Sequence, residues 1–366
     1  MNYPVMRPKR IVTFLGAGAS VPFGYPTTKS FLEKLDTYTT AADEKKLLNS
    51  IRNMGRIVED VEHVVEILDL ILELDATSEK GRLSAFLHEY PLTVDFAKKH
   101  EMEIHQPSLD EKLQWRQLVE LARRLRNTIE RLTFQQYESK VDQYSKIEKE
   151  YERFFSVLMP YKLGDEAFEV FTTNYDNVIE DYCRRSGILC TLSVLDRDIN
   201  PNAMGKSSRR LFLTKLHGSL DWVIDRENKG IEVVTTQTFI NKDSTRWERN
   251  EYVLFGTKPR LEKAGIYGRL FDHLLQSLLK AEVCITVGFS FRDEHITKVL
   301  NDTLSQNRSI KIIVVSRSPK ETSKNLIRES TRLNKLFKER RIIPLRCSFG
   351  TPKAIKEINE SLSSLK

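Results

Sequence analysis

The chain has 366 residues, 40% of them hydrophobic and 9% aromatic, which is enough for real cores in two domains and excludes wholesale disorder. Lys and Arg number 58 against 51 Asp and Glu, and the resulting net charge of +7 permits an acidic partner without requiring one. No apolar stretch is long enough to span a membrane, Met1 to Arg10 lacks the apolar run of a secretory signal, and Cys183, Cys190, Cys284 and Cys347 are too scattered for a zinc ribbon or a disulfide framework. A soluble, cytoplasmic protein is expected.

The first informative segment is an apolar run, Ile11 to Leu15, that breaks into Gly16-Ala17-Gly18-Ala19-Ser20. This is the pattern of a buried parallel strand followed by a glycine turn. Glycines there let the backbone approach a pyrophosphate, and free N–H groups at a helix start can hold its oxygens. Taken alone the turn is a weak signal. Val21 stands where a dinucleotide fingerprint needs glycine or alanine, and no G-x-x-x-x-G-K-[ST] loop occurs. A helix is expected from near Lys29.

From about residue 36 to 165 glycine and proline become rare and the apolar residues take a helical period. Val58, Val61, Val65, Leu68 and Leu72 form one stripe, Leu113 to Leu132 repeats the pattern under a face of arginines, and Tyr151 to Leu158 adds a third patch. Residues 36–165 read as a helical insertion domain, with a loop over Glu89 to Pro107.

After residue 165 strands alternate with helices again. Ala167 to Thr173, Leu211 to Leu216, Val283 to Gly288 and Ile310 to Val315 are short, apolar, and rich in β-branched or aromatic residues. Residues 1–35 and 166–366 therefore read as one α/β domain, a Rossmann-like parallel sheet with helices on both faces, interrupted by the insertion. Gly218 to Lys258 reads as an irregular β-containing excursion. The insertion is expected beside the glycine loop, over the carboxyl ends of the strands, where ligands of open α/β sheets bind.

Polar clusters follow each strand. Asn174 and Asp176, in Thr172-Thr173-Asn174-Tyr175-Asp176, either cap the next helix or offer an amide and a carboxylate to a ligand. His217, in Lys215-Leu216-His217-Gly218-Ser219, is either structural or a proton carrier held by a tight turn. In Gly288-Phe289-Ser290-Phe291-Arg292-Asp293-Glu294-His295, Asp293 is expected to cap a helix, because three consecutive residues cannot all face one metal ion. Ser318, Pro319 and Glu321 read as a capping box, which leaves Ser316 and Arg317 to face a ligand.

In this order, each at a strand end, the motifs GAGAS, TTNYD, LHGS and GFSFRDEH resemble the sirtuin-like domains of prokaryotic antiphage defence proteins. The resemblance spans residues 8 to 30 and about 166 to 318. It implies NAD as a substrate and no metal. It implies that Gly16, Ala17, Gly18 and Ser20 line the pyrophosphate and that Thr173 joins the cofactor-binding set. Asn174 and Asp176 would face the nicotinamide ribose and carboxamide, with Asn174 and His217 catalytic and His217 the base. Gly288 and Ser290 would meet phosphate or the adenosine ribose, with Ser316 and Arg317 near the adenosine.

Protein-deacylating sirtuins carry a zinc module with two cysteine pairs, which this chain lacks, and Phe23 to Thr28 replaces their aspartate-phenylalanine-arginine run. Val253-Leu254-Phe255-Gly256 is similar to their acyl-lysine segment. Water is therefore the expected acceptor, which makes the chain an NAD glycohydrolase and the NAD-depleting effector of an antiphage system. The alternatives are a catalytically silent NAD or ADP-ribose sensor regulating a partner ATPase, and an NAD-dependent protein deacylase. Nucleic-acid binding through Arg116 to Arg131 and Lys320 to Arg341 is a further option, less favoured than solvated helix faces. With no evident sensing domain after residue 320, control is expected from homo-oligomerisation or from a partner such as a HerA-type hexameric translocase ATPase.

Overall fold

A computed structural model of the protein describes residues 9–53, 58, 60–76, 109–162, 167–192, 197–198, 209–220, 222–225, 230–233, 247–248 and 265–365. The described chain separates into two compact units, one comprising Met1–Tyr25, Tyr137–Leu254 and Arg260–Lys366, the other Pro26–Gln136 and Phe255–Pro259.

The first unit is built on a sheet of β1 (Ile11–Leu15), β2 (Phe168–Thr172), β3 (Leu189–Leu192), β4 (Arg197–Asp198), β5 (Arg210–Lys215), β9 (Val283–Val287), β10 (Lys311–Ser316) and β11 (Ile342–Arg346). Their spatial order is β11-β10-β9-β1-β2-β5-β3-β4. Seven strands, β11 through β3, run parallel, and β4 pairs antiparallel at the edge. All five residues of β9 are buried, as a strand covered on both faces requires. The α/β parallel-sheet expectation holds. Part of Gly218 to Lys258 forms a separate sheet, β7-β6-β8, from β6 (Trp222–Asp225), β7 (Gly230–Val233) and β8 (Trp247–Glu248).

Among the described residues the helices run, in chain order, α1 (Thr28–Tyr38), α2 (Ala42–Arg52), α3 (Val61–Ala76), α4 (Leu109–Tyr137), α5 (Tyr144–Leu158), α6 (Val178–Ser186), α7 (Gly265–Lys280) and α8 (Glu294–Gln306). Three more follow: α9 (Pro319–Leu326), α10 (Ser330–Lys338) and α11 (Pro352–Ser364). On one sheet face Val12, Phe14, Phe171, Cys284, Ile312 and Val314 form a continuous core with Leu274 and Leu278 of α7 and Ile296 and Leu300 of α8. A second core is aromatic. Phe155 stacks on Tyr182 at 5.6 Å and meets Phe168 at 5.4 Å, while Tyr151 lies 5.1 Å from Phe349. Each such pair contributes about 0.5–1.5 kcal/mol beyond the area it buries. These contacts group α5 with the sheet unit, although the sequence reading places Tyr151 to Leu158 in the insertion. The reason is composition: the stripe of α5 is aromatic and meets aromatic residues of β2 and α6.

In the second unit, Val61, Val64, Val65, Leu68 and Ile71 of α3 are buried, as are Val119, Ala122, Leu125, Ile129 and Leu132 of α4. Leu72, expected on the buried stripe, is only half-buried. Arg126 turns inward to Asp69 at 3.0 Å, while Arg116, Arg123, Arg124 and Arg131 stand exposed. The expected loop over Glu89 to Pro107 and the segment Val253 to Gly256 lie outside the described residues. Among the described residues no helix is long and apolar enough to cross a membrane.

Candidate active site

The strand register brings the sequence motifs to one edge. Leu15 pairs with Thr172 and Val287, Thr172 with Lys215, and Val315 with Val287. The segments after β10, β9, β1, β2 and β5 therefore leave the sheet side by side. From β1 the chain first adds β2 on one side and later crosses to β9 on the other. Loops diverge at such a switch point, and the crevice between them is the ligand position of open α/β sheets.

At this crevice four predicted residues join in one chain of hydrogen bonds. The Asn174 Nδ2 donates to the Gly16 carbonyl at 3.1 Å and to Ser20 Oγ at 2.9 Å. Ser20 in turn bonds the Asp176 carboxylate, which also accepts from the Val178 N–H at 3.2 Å. Asn174 Oδ1 is enclosed and has no hydrogen-bond partner among the described residues. Because both amide hydrogens are used, this residue has only an acceptor left for anything that enters.

Burial raises the pKa of Asp176 above the ordinary aspartate value, against the opposing pull of Lys215, Ser20 and the Val178 amide. A raised folded-state pKa means that the fold is most stable with the group protonated and loses that stability as pH rises through the folded value. Asp176→Asn is therefore expected to raise the melting temperature at neutral pH, with the gain shrinking as acid protonates the wild-type carboxyl. Melting curves from pH 7 down to pH 4 check this, and an unchanged or lowered midpoint at pH 7 would contradict it.

Lys215 was absent from the predicted site, yet it organises it. Its side chain is fully buried and its Nζ, with three hydrogens to share, lies within hydrogen-bonding distance of Glu180 Oε1 (2.8 Å), the Asp176 carbonyl (2.8 Å), the Tyr175 carbonyl (3.3 Å), Asn177 Oδ1 (3.2 Å) and Ser219 Oγ (2.6 Å). One cation thus ties the loop after β2 to the loop after β5. The signal was legible, since Lys215 shares its strand face with the buried Leu211 and Leu213.

His217 sits on the turn after β5, where Gly218 adopts φ +83°, a left-handed conformation that favours glycine. Its Nε2 lies 2.7 Å from Asp293 Oδ2, and the Tyr175 ring is 6.4 Å away. Asp293 also caps α8 as expected, its Oδ1 accepting from the Ile296 N–H at 2.9 Å. Burial works to raise the Asp293 pKa, but the hydrogen bond and charge of His217 and the Ile296 amide hold it below the ordinary value.

The glycines bring two loops into backbone contact. The Gly16 N–H donates to the Val287 carbonyl and the Gly18 N–H to the Gly288 carbonyl, both at 2.9 Å. Ala19 and Ser20 donate within the turn to Gly16 and Ala17. These amides hold the loop together and tie it to the loop after β9. A Cβ on Gly288 would stand 2.4 Å from the Gly18 and Ala19 backbone, and Gly288 has φ +62°. Only glycine lets the loops after β1 and β9 touch.

The remaining predicted residues lie at the same sheet edge without entering this network. Thr173 donates its N–H to Leu15 at 3.3 Å, Ala17 is half-buried, and Ser290 and Arg317 are exposed. Ser316 Oγ lies 3.2 Å from Thr322 Oγ1, so its hydroxyl has a protein partner. The capping box is not formed. The Ser318 side chain makes no capping bond, and its backbone, φ −132° and ψ 62°, departs from the extended geometry a cap adopts. All four cysteines are buried thiols outside any disulfide, and burial pushes the Cys284 and Cys347 thiols up to about 12 and about 11, which makes both poor nucleophiles. Among the described residues no cluster of His, Cys, Asp and Glu is arranged to hold a metal.

Residues 169–345 match the family of the SIR2-like domain. Among solved structures, the chain is similar to a Sir2 homologue in complex with NAD, at 13% identity over 97% of this chain and 90% of that one, with a TM-score of 0.45. A mutant Sir2 homologue in complex with ADP-ribose matches at 13% identity over 96% and 91%, with a TM-score of 0.42. Sir2 bound to an acetylated peptide matches at 12% identity over 97% and 94%, with a TM-score of 0.40. Comparison with curated protein sequences gave no significant match. The family match runs from the second strand of the parallel sheet to its last, and the chain carries a sirtuin-like domain.

Proposed function

We propose that this chain is an NAD glycohydrolase, cleaving NAD with water to nicotinamide and ADP-ribose. The observation that carries the reading is the binding of Asn174 and Asp176 to the glycine loop through Gly16 and Ser20 at the switch point of the sheet, with His217 at the same sheet edge against Asp293. The enclosed, unpartnered Asn174 Oδ1 fits a ligand or water that donates a hydrogen bond there.

The chemistry suits these groups. Nicotinamide leaves NAD as a neutral base when the bond from its ring nitrogen to the ribose C1′ breaks, the electron pair going to nitrogen. No acid is needed for departure. A water oxygen then bonds C1′, and its proton passes to His217, directly or through a ribose hydroxyl, and on to solvent. Such acid–base help is typically worth ~10²–10⁴ in rate. Asn174, with its amide hydrogens committed to Gly16 and Ser20, accepts a hydrogen bond from the attacking water and so fixes its approach.

By the sequence resemblance, the activity serves as the NAD-depleting effector of an antiphage system. It is held in check by self-assembly or by a HerA-type hexameric ATPase. The test is product analysis with NAD alone and with an acetylated lysine peptide added. Equal release of nicotinamide and ADP-ribose without peptide is the expected result. Turnover only with peptide would make the chain a deacylase, and tight NAD binding without turnover, alone or with the ATPase, would make it a sensor.

A further inference from the structure

We propose that Asp293 is a positioning residue for His217, its carboxylate fixing the imidazole as the Nε2–H tautomer so that the proton from the reaction is taken at Nδ1. The proposal rests on the glycohydrolase reading for its chemistry and on independent geometry for the pairing.

The loops that carry the two residues leave β5 and β9, which are separated in the sheet by β2 and β1. At roughly 4.8 Å per strand the two ends stand about 14 Å apart, so the loops reach toward each other across the ends of β1 and β2. They meet in a 2.7 Å contact between Nε2 and Oδ2, within the range of a charge-assisted bond. Both partners are largely buried, with side-chain exposures of 9% and 15%. The carboxylate is itself oriented, because Oδ1 is held by the Ile296 N–H at the start of α8. An ionised carboxylate only accepts, so the hydrogen between the two atoms belongs to Nε2, and the lone pair of the ring lies on Nδ1. The same negative charge stabilises the imidazolium formed when His217 takes a proton. A helix cap has thus been given a second task, holding a base.

Asparagine caps a helix as well as aspartate does but lacks the charge, so Asp293→Asn separates the two tasks. The expected result is an intact fold with a modestly lowered melting temperature at neutral pH, since the ionised carboxylate is stabilised by His217, together with kcat for nicotinamide release reduced by ~10²–10⁴-fold and KM within about threefold. The independent readout is the ¹⁵N chemical shifts of the His217 ring nitrogens in histidine-labelled protein, assigned by their disappearance in His217→Gln. The wild type is expected to show the Nε2–H tautomer at neutral pH and Asp293→Asn a mixture. An Nδ1–H tautomer in the wild type, or an Asp293→Asn protein with unchanged tautomer and kcat, would overturn the proposal. If the wild type releases no nicotinamide, the glycohydrolase reading fails while the tautomer comparison still decides the pairing.

Discussion

Lys215→Met is expected to lower folding stability of the sheet unit by about 3–5 kcal/mol, the cost of leaving a buried ion without its partner. Methionine fills much of the lysine volume, so little of that loss would come from a cavity. It would come from Glu180, whose side chain is 3% exposed and which loses the Lys215 charge beside it, and from the Asp176 carbonyl, which loses the ammonium donor. Because that carbonyl belongs to the loop that carries Asn174 and Asp176, site geometry is expected to loosen as well. Urea unfolding followed by circular dichroism measures the first effect. Adding Glu180→Gln to Lys215→Met removes the carboxylate charge that Lys215 no longer balances and is expected to recover part of the loss. A single-variant loss under about 1 kcal/mol would show that Lys215 does not hold the loops.

Asn174→Asp is expected to reduce kcat by ~10²–10³-fold, although it changes one atom. The wild-type amide donates twice, to the Gly16 carbonyl and to Ser20 Oγ, and so sets the direction of Oδ1. A carboxylate cannot donate, faces the Gly16 oxygen with like charge, and competes with Asp176 for the Ser20 hydroxyl. The oxygen meant to orient water would swing away, and a displacement of about 1 Å at such a site can cost 10²-fold. Nicotinamide release at saturating NAD checks this. Activity within about threefold of the wild type would remove Asn174 from the chemistry.

Much of the architecture is legible in the sequence because it is local. Ile11 to Leu15 forms the expected strand to the residue, and the other long apolar runs fall within one or two residues of β2, β5, β9 and β10. Two parallel strands escaped. Leu189–Leu192 is only four residues long, and Ile342–Arg346 contains Pro344, which argues against a strand except at a sheet edge, where β11 lies. The site is legible in its parts and not in its couplings. Asn174, Asp176 and His217 announce themselves as polar residues after apolar runs. That His217 pairs with Asp293, 76 residues away, depends on which strands become neighbours, and no spacing in the chain encodes it. The glycine loop is the same case: nothing in its composition shows that Gly16 and Gly18 pack backbone to backbone against Gly288 and Phe289.

Whether Asn174 and His217 together cut NAD is decided most directly by nicotinamide and ADP-ribose release by the wild type beside Asn174→Ala and His217→Ala. Release by the wild type that disappears in both variants, with their folds intact by circular dichroism, is the predicted result. Wild-type release that survives in both variants would contradict it.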